Sequence, residues 1–155
     1  MSLHTPGHGR SKRVPGPGNL EVSLHRQASE IPLVHDALDK LAAGHSLPAR
    51  CVARLHLALE EHVANIIAHG GDPGPASRIT VRFALDPAAL RVEIEDDASP
   101  FNPLEAPAVD TAVPLEEKPL GGLGILLIRK SVDELEYRRA GNRNVLVMKN
   151  RLTPP

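Results

Sequence analysis

At 155 residues with a formal net charge of −1, the chain is sized for one domain and carries no global field that would attract nucleic acid. Aromatic residues make up only 2%, which removes the stacking platforms of single-strand binders and leaves Leu, Ile, Val and Ala to form the core. No apolar run reaches transmembrane length, no secretory h-region follows the start, and the single Cys51 excludes an intrachain disulfide. The expectation is a cytoplasmic chain with neither a membrane nor a nucleic acid as direct partner.

Residues 1–19 are rich in Pro, Gly and Ser with three basic residues, and predict a flexible tail. Leu20, Val22 and Leu24 alternate with Glu21 and Ser23, a strand pattern. Ser29 is the expected cap of a first helix with Pro32 in its first turn, running to about Ala43 and stopped by Gly44. Ser46 and Pro48 open a second, longer helix that ends at Gly70-Gly71. Two strands follow around a turn at Asp86-Pro87, with Ile79, Val81 and Phe83 on one and Leu90, Val92 and Ile94 on the other. Asp96 shares parity with Val92 and Ile94, so its carboxylate should point to the covered face and needs a partner there. Prolines at 100, 103, 107, 114 and 119 exclude regular structure over 98–120, a loop long enough to be functional or disordered. Gly121-Gly122-Leu123-Gly124 then precedes an apolar helix over 125–132. Two last strands, around Leu135 and Tyr137 and over 144–148, meet at Gly141-Asn142. The order βαα–ββ–loop–α–ββ predicts an α+β two-layer sandwich, helices on one face of a mainly antiparallel mixed sheet, spanning residues 20–152.

The second helix has two faces. Leu55, Leu59, Val63, Ile66 and Ile67 form an apolar stripe, while Glu61 and Asn65 fall roughly 40° apart on the other side. Asn is mildly unfavourable in a helix interior, and small neighbours Ala58 and Ala68 leave room beside it, which marks a candidate site. A solvated face with a chance Glu/Asn pair is the alternative. The glycines before Ile125 would let a phosphate approach free helix N–H groups, though an ordinary tight loop–helix junction explains them equally. His62 and His69 show no zinc-protease spacing, which argues against a metal site there. His35-Asp36 faintly resembles a histidine-kinase phosphoacceptor, a class that also needs a dimerising helical hairpin ahead of its ATPase domain.

E-x-x-x-N on a helix, an inward Asp96 ending a strand, and GGLG opening a helix after a long loop together resemble the Bergerat-fold (GHKL) ATPases. The segments ALEEHVANIIAHG, VEIEDDASPFNP and GGLGILLIRKSVDELEY look closest to the anti-sigma-factor serine/threonine kinases. That resemblance implies ATP and Mg²⁺ as cofactors, with Asn65 holding the metal through its side-chain oxygen. It implies Glu61 as general base toward an incoming serine hydroxyl. Asp96 would accept the adenine amino group, Gly122 and Gly124 would cradle the phosphates, and Lys118 would reach them from a lid over 98–120. The implied partners are a STAS-domain anti-anti-sigma protein and a sigma factor, and a homodimer is the family's habit. Ala98 and Pro100 stand where the wider family has glycines; a positive φ at Ala98 would cost on the order of 1 kcal/mol. A non-catalytic partner-switching module with the same fold, binding nucleotide weakly or not at all, is the alternative function, and a bare ATPase domain is a third.

Overall fold

Strand alternation sorts the chain into a covered and an open sheet face. The computed structural model describes residues 18–105 and 122–153. Its strands are β1 (Asn19–Leu24), β2 (Ile79–Leu85), β3 (Ala89–Asp96), β4 (Glu134–Ala140) and β5 (Arg143–Arg151). They lie in the order β1-β2-β3-β5-β4, and every pairing is antiparallel. Three helices, α1 (Ile31–His45), α2 (Ala49–His69) and α3 (Gly122–Ser131), cover one face. The α+β sandwich expected from the element order is therefore present, with the sheet wholly antiparallel among the described residues.

The core lies between helices and sheet. Val81, Phe83, Val92, Ile94, Leu146 and Met148 meet across β2, β3 and β5 in register, under Leu38, Leu55, Leu59, Val63 and Ile128 from the helices. The other face carries ion pairs instead of a second layer. Arg82 reaches Glu21 at 2.8 Å and Glu93 and Glu95 at 3.2 Å each, and Arg143 reaches Glu95 at 3.0 Å. The pairs with Glu93 and Glu95 join guanidinium groups open to water to half-buried carboxylates.

Helix ends depart from the expectation in three places. Ser29 does not cap α1: it sits in a 3₁₀ turn over Ala28–Glu30, and α1 starts at Ile31 with no side-chain cap, helped by Pro32 in its first turn. Gly44 does not stop α1, because the reversal falls at Ser46, whose left-handed φ of 51° lets its N–H reach Ala42 O. Finally, α3 begins at Gly122 rather than Ile125, so Gly122 and Gly124 lie inside its first turn instead of ahead of it. By contrast α2 does end at Gly70, and Gly71 takes a φ of +83° as a glycine stop should. Strand β1 starts at Asn19, one residue before the expected tail boundary, with Leu85 N donating to Gly18 O.

Candidate functional site

The site is built from α2 outward. Its apolar stripe faces the core, so Glu61 and Asn65 turn toward the start of α3. At Gly124 an added Cβ would stand 2.7 Å from Glu61 Oε2 and 3.6 Å from Asn65 Nδ2. The glycine thus lets α3's first turn lie directly on both side chains, and any larger residue would push the carboxylate aside. A carboxylate at a helix N-terminus sits where unpaired N–H groups and the dipole favour negative charge. Asn65 Nδ2 is buried here with no hydrogen-bond partner among the described residues. A buried unpaired N–H donor is costly, and at a junction of this kind it fits a group awaiting a hydrogen-bond acceptor.

The second part lies at the end of β3. Asp96 is 1% exposed, and its Oδ1 accepts from Asn144 Nδ2 at 2.9 Å and Ala98 N at 3.0 Å. Burial pushes its pKa above the ordinary carboxylate value, opposed by those two hydrogen bonds and by the charge of Arg26. The inward carboxylate expected from strand parity is therefore present, and Asn144 is the partner it required. Asn144 is itself a hub. Its Nδ2 also donates to Ser99 O at 2.9 Å, while its Oδ1 accepts from Tyr137 Oη at 2.6 Å and from an Arg139 N–H at 3.1 Å. Arg139 further donates to Ala98 O at 3.0 Å, so β4 and β5 together hold the backbone just beyond Asp96.

Ala98 shows none of the strain anticipated for it. Among the described non-glycine residues only Ser46 has a positive φ. The Ala98 methyl is buried against the end of α2, 2.7 Å from where a Cβ on Gly70 would stand. The glycine is thus required at position 70 of this contact, and an alanine fits position 98.

Several residues here lie outside the set that sequence patterns single out. Asn144 does carry a signal, because it shares the inward parity of Leu146 and Met148, where a polar side chain needs a reason. Arg26 carries none. Buried beside the end of α2, it donates to Gly71 O at 2.8 Å and, as a second donor beside Gly70 N, to Ile66 O at 3.4 Å. Through Ser77 Oγ, which donates to Asp97 Oδ1 at 2.6 Å, the same arginine ties α2 to the end of β3. On α3, Arg129 donates to Pro103 O and Leu104 O, both at 2.8 Å. His62, next to Glu61, is buried with neither ring nitrogen bonded, and burial pushes its pKa down to about 4, so the ring is neutral.

The structure brings Glu61, Asn65 and Gly124 together and places Asp96 at the end of β3 beside the end of α2. Lys118 and most of the expected lid, residues 106–121, lie outside the described residues, as does the tail over 1–17. No group of three or more metal-ligating His, Cys, Asp or Glu side chains occurs among the described residues, and none of their helices is long and apolar enough to cross a membrane.

Comparison with known proteins places the fold. The chain is similar to the serine/threonine-protein kinase BtrW of Bordetella bronchiseptica, 26% identical over 117 residues, which are 76% of this chain and 82% of that protein. Its fold is similar to the crystal structure of the RsbU and RsbW domains of a Mycobacterium tuberculosis protein, with a TM-score of 0.63 at 18% identity. That likeness covers 88% of this chain but 33% of the larger one, so the chain spans about a third of its length. The family described as the histidine kinase-like ATPase domain matches residues 24–150. That match covers most of the chain, which belongs to the histidine kinase-like ATPase domain family.

Proposed function

We propose that the chain is an ATP- and Mg²⁺-dependent serine/threonine protein kinase of the anti-sigma type. It would phosphorylate a STAS-domain anti-anti-sigma protein and sequester a sigma factor when that antagonist is unavailable, acting as a cytoplasmic homodimer. The observation that carries the reading is the junction of α2 and α3, where Glu61 and the unpaired amide of Asn65 meet a glycine-opened helix N-terminus. The 26% identity to a named serine/threonine kinase over most of both chains supports the protein-kinase class.

In this reading Glu61 takes the proton of the incoming serine hydroxyl as its oxygen bonds to the γ-phosphorus and the bond to the bridging oxygen breaks, releasing ADP. Asn65 would hold Mg²⁺ through its amide oxygen, a hard ligand for a hard ion. Held there, the ion would neutralise charge on the phosphates. Gly122 and Gly124 present backbone N–H groups to the phosphates, and Lys118 adds a charge from the lid. Asp96, its Oδ1 held by Asn144 and Ala98 N, receives the adenine amino group.

The non-catalytic alternative draws its support from Ala98. Ala98 has no positive φ and packs its methyl against the end of α2, which supports the kinase reading over that alternative. The test is phosphate transfer from labelled ATP to a cognate STAS protein, with thermal unfolding in ADP and Mg²⁺ run alongside. Glu61→Ala should abolish transfer and keep the nucleotide-induced rise in melting temperature, whereas Asn65→Ala should lose the Mg²⁺-dependent part of that rise. Equal loss of both activities in Glu61→Ala would sink the general-base role, and an unchanged melting temperature of the wild type at millimolar nucleotide would sink the kinase reading.

A further inference from the structure

Away from that junction, α1 and α2 share a second constellation. His35 and Asp39 lie one turn apart on α1, and His56 and Glu60 one turn apart on α2. The two helices run antiparallel, so the pairs cross: His35 Nε2 lies 2.5 Å from Glu60 Oε2 and His56 Nε2 lies 2.7 Å from Asp39 Oδ1. A carboxylate only accepts, so each contact fixes its ring with the proton on Nε2. The remaining nitrogens then both present lone pairs, and they face each other: His35 Nδ1 and His56 Nδ1 are 2.6 Å apart, with ring centroids 4.8 Å apart and planes tilted by 33°.

Two lone pairs cannot meet at that distance without an electrophile between them. A carboxylate behind each imidazole is the arrangement that orients metal-bound histidines and raises their basicity. Two Zn–N bonds of about 2.0 Å at a tetrahedral angle set the nitrogens roughly 3.3 Å apart, less than an ångström beyond the present separation. The side chains are 26% and 27% exposed, so water can complete the coordination.

We propose that His35 and His56 form a two-histidine site for a late first-row divalent ion such as Zn²⁺, with Asp39 and Glu60 as the outer carboxylates. The ion would join α1 to α2 one turn ahead of Glu61 and at a point apart from the Mg²⁺ position on Asn65. The site is independent of the kinase reading, because none of its four residues belongs to the proposed transfer machinery.

The test uses the full chain stripped of metal with a chelator and titrated with Zn²⁺, or with Mg²⁺ for comparison. Calorimetry should show one Zn²⁺ per chain, no heat with Mg²⁺, and weaker binding as the buffer is acidified. His35→Gln and His56→Gln should each abolish it, and Asp39→Asn or Glu60→Gln should weaken it roughly 10- to 100-fold. Long-range ¹H–¹⁵N spectra of the wild type give a second reading that needs no variant. Zn²⁺ should move the Nδ1 resonances of His35 and His56 and leave both Nε2–H protons in place. Unchanged binding in the His35→Gln/His56→Gln double variant, where six of the eight histidines remain, would assign the ion elsewhere and overturn the proposal. So would the absence of any Zn²⁺ response in the wild type.

Discussion

Replacing His62 with leucine should make the fold markedly less sensitive to acid. The imidazole is buried with no hydrogen-bond partner, and its spacing on α2 puts it among Leu55, Ala58, Leu59 and Ile66, all buried. Burial lowers its pKa from 6.5 to about 4. The unfolded chain therefore binds a proton on this ring that the folded chain refuses, and stability must rise with pH between the two values. The contribution is complete above the unfolded pKa and is lost as pH falls through 6.5 toward 4. Each tenfold loss of proton affinity on folding corresponds to about 1.4 kcal/mol, so the full effect is about 3 kcal/mol and the part lost between pH 8 and pH 5 is about 2 kcal/mol. Urea unfolding of wild type and His62→Leu at both pH values isolates this quantity, because every other titrating group is common to the two proteins. The wild type should lose about 2 kcal/mol more than the variant over that interval. Equal losses would refute the reasoning and mean that the ring is solvated or bonded in the folded state.

Two further predictions concern the site. Gly124→Ala places a methyl 2.7 Å from Glu61 Oε2, so transfer to a STAS substrate should fall by at least tenfold while the melting temperature moves little, since Glu61 can swing away; calorimetry and the transfer assay read the two effects, and unchanged turnover would show that Glu61 is not needed where it stands. Asn144→Ala removes one donor from buried Asp96 and the acceptor used by Tyr137 and Arg139, and should cost about 1–3 kcal/mol in urea unfolding with weaker ADP binding. Full ADP affinity in a folded Asn144→Ala protein would show that this hub does not shape the base end.

The strands are legible in the sequence because alternation is enforced by a sheet with one covered face: Val81 against Ile94 and Phe83 against Val92 follow from period two alone. The same parity turns Asp96 inward. Helix ends are less legible, since they depend on which residue tolerates a left-handed turn, and Ser46 takes it two positions after Gly44. The glycines of α3 illustrate a different gap. Their residue types suggest a phosphate loop, but their place inside a helix follows from how closely α3 approaches Glu61, a distance between segments far apart in sequence. Arg26 is invisible for the same reason, as its partners Ile66 and Gly71 are at least 40 residues away.

Asp96 and Asn144 face each other on β3 and β5, two interior strands of the sheet, whereas Glu61 and Asn65 meet the first turn of a ten-residue helix. The two ends of the site therefore belong to regions of unequal local stability. Strand amides around Asp96 should exchange hydrogen only when the whole domain opens, while the first turn of α3 can fray on its own. A ligand spanning both would find one end already rigid and would spend its ordering on the other, so the gain in protection on binding should concentrate in α3 and leave the central strands unchanged.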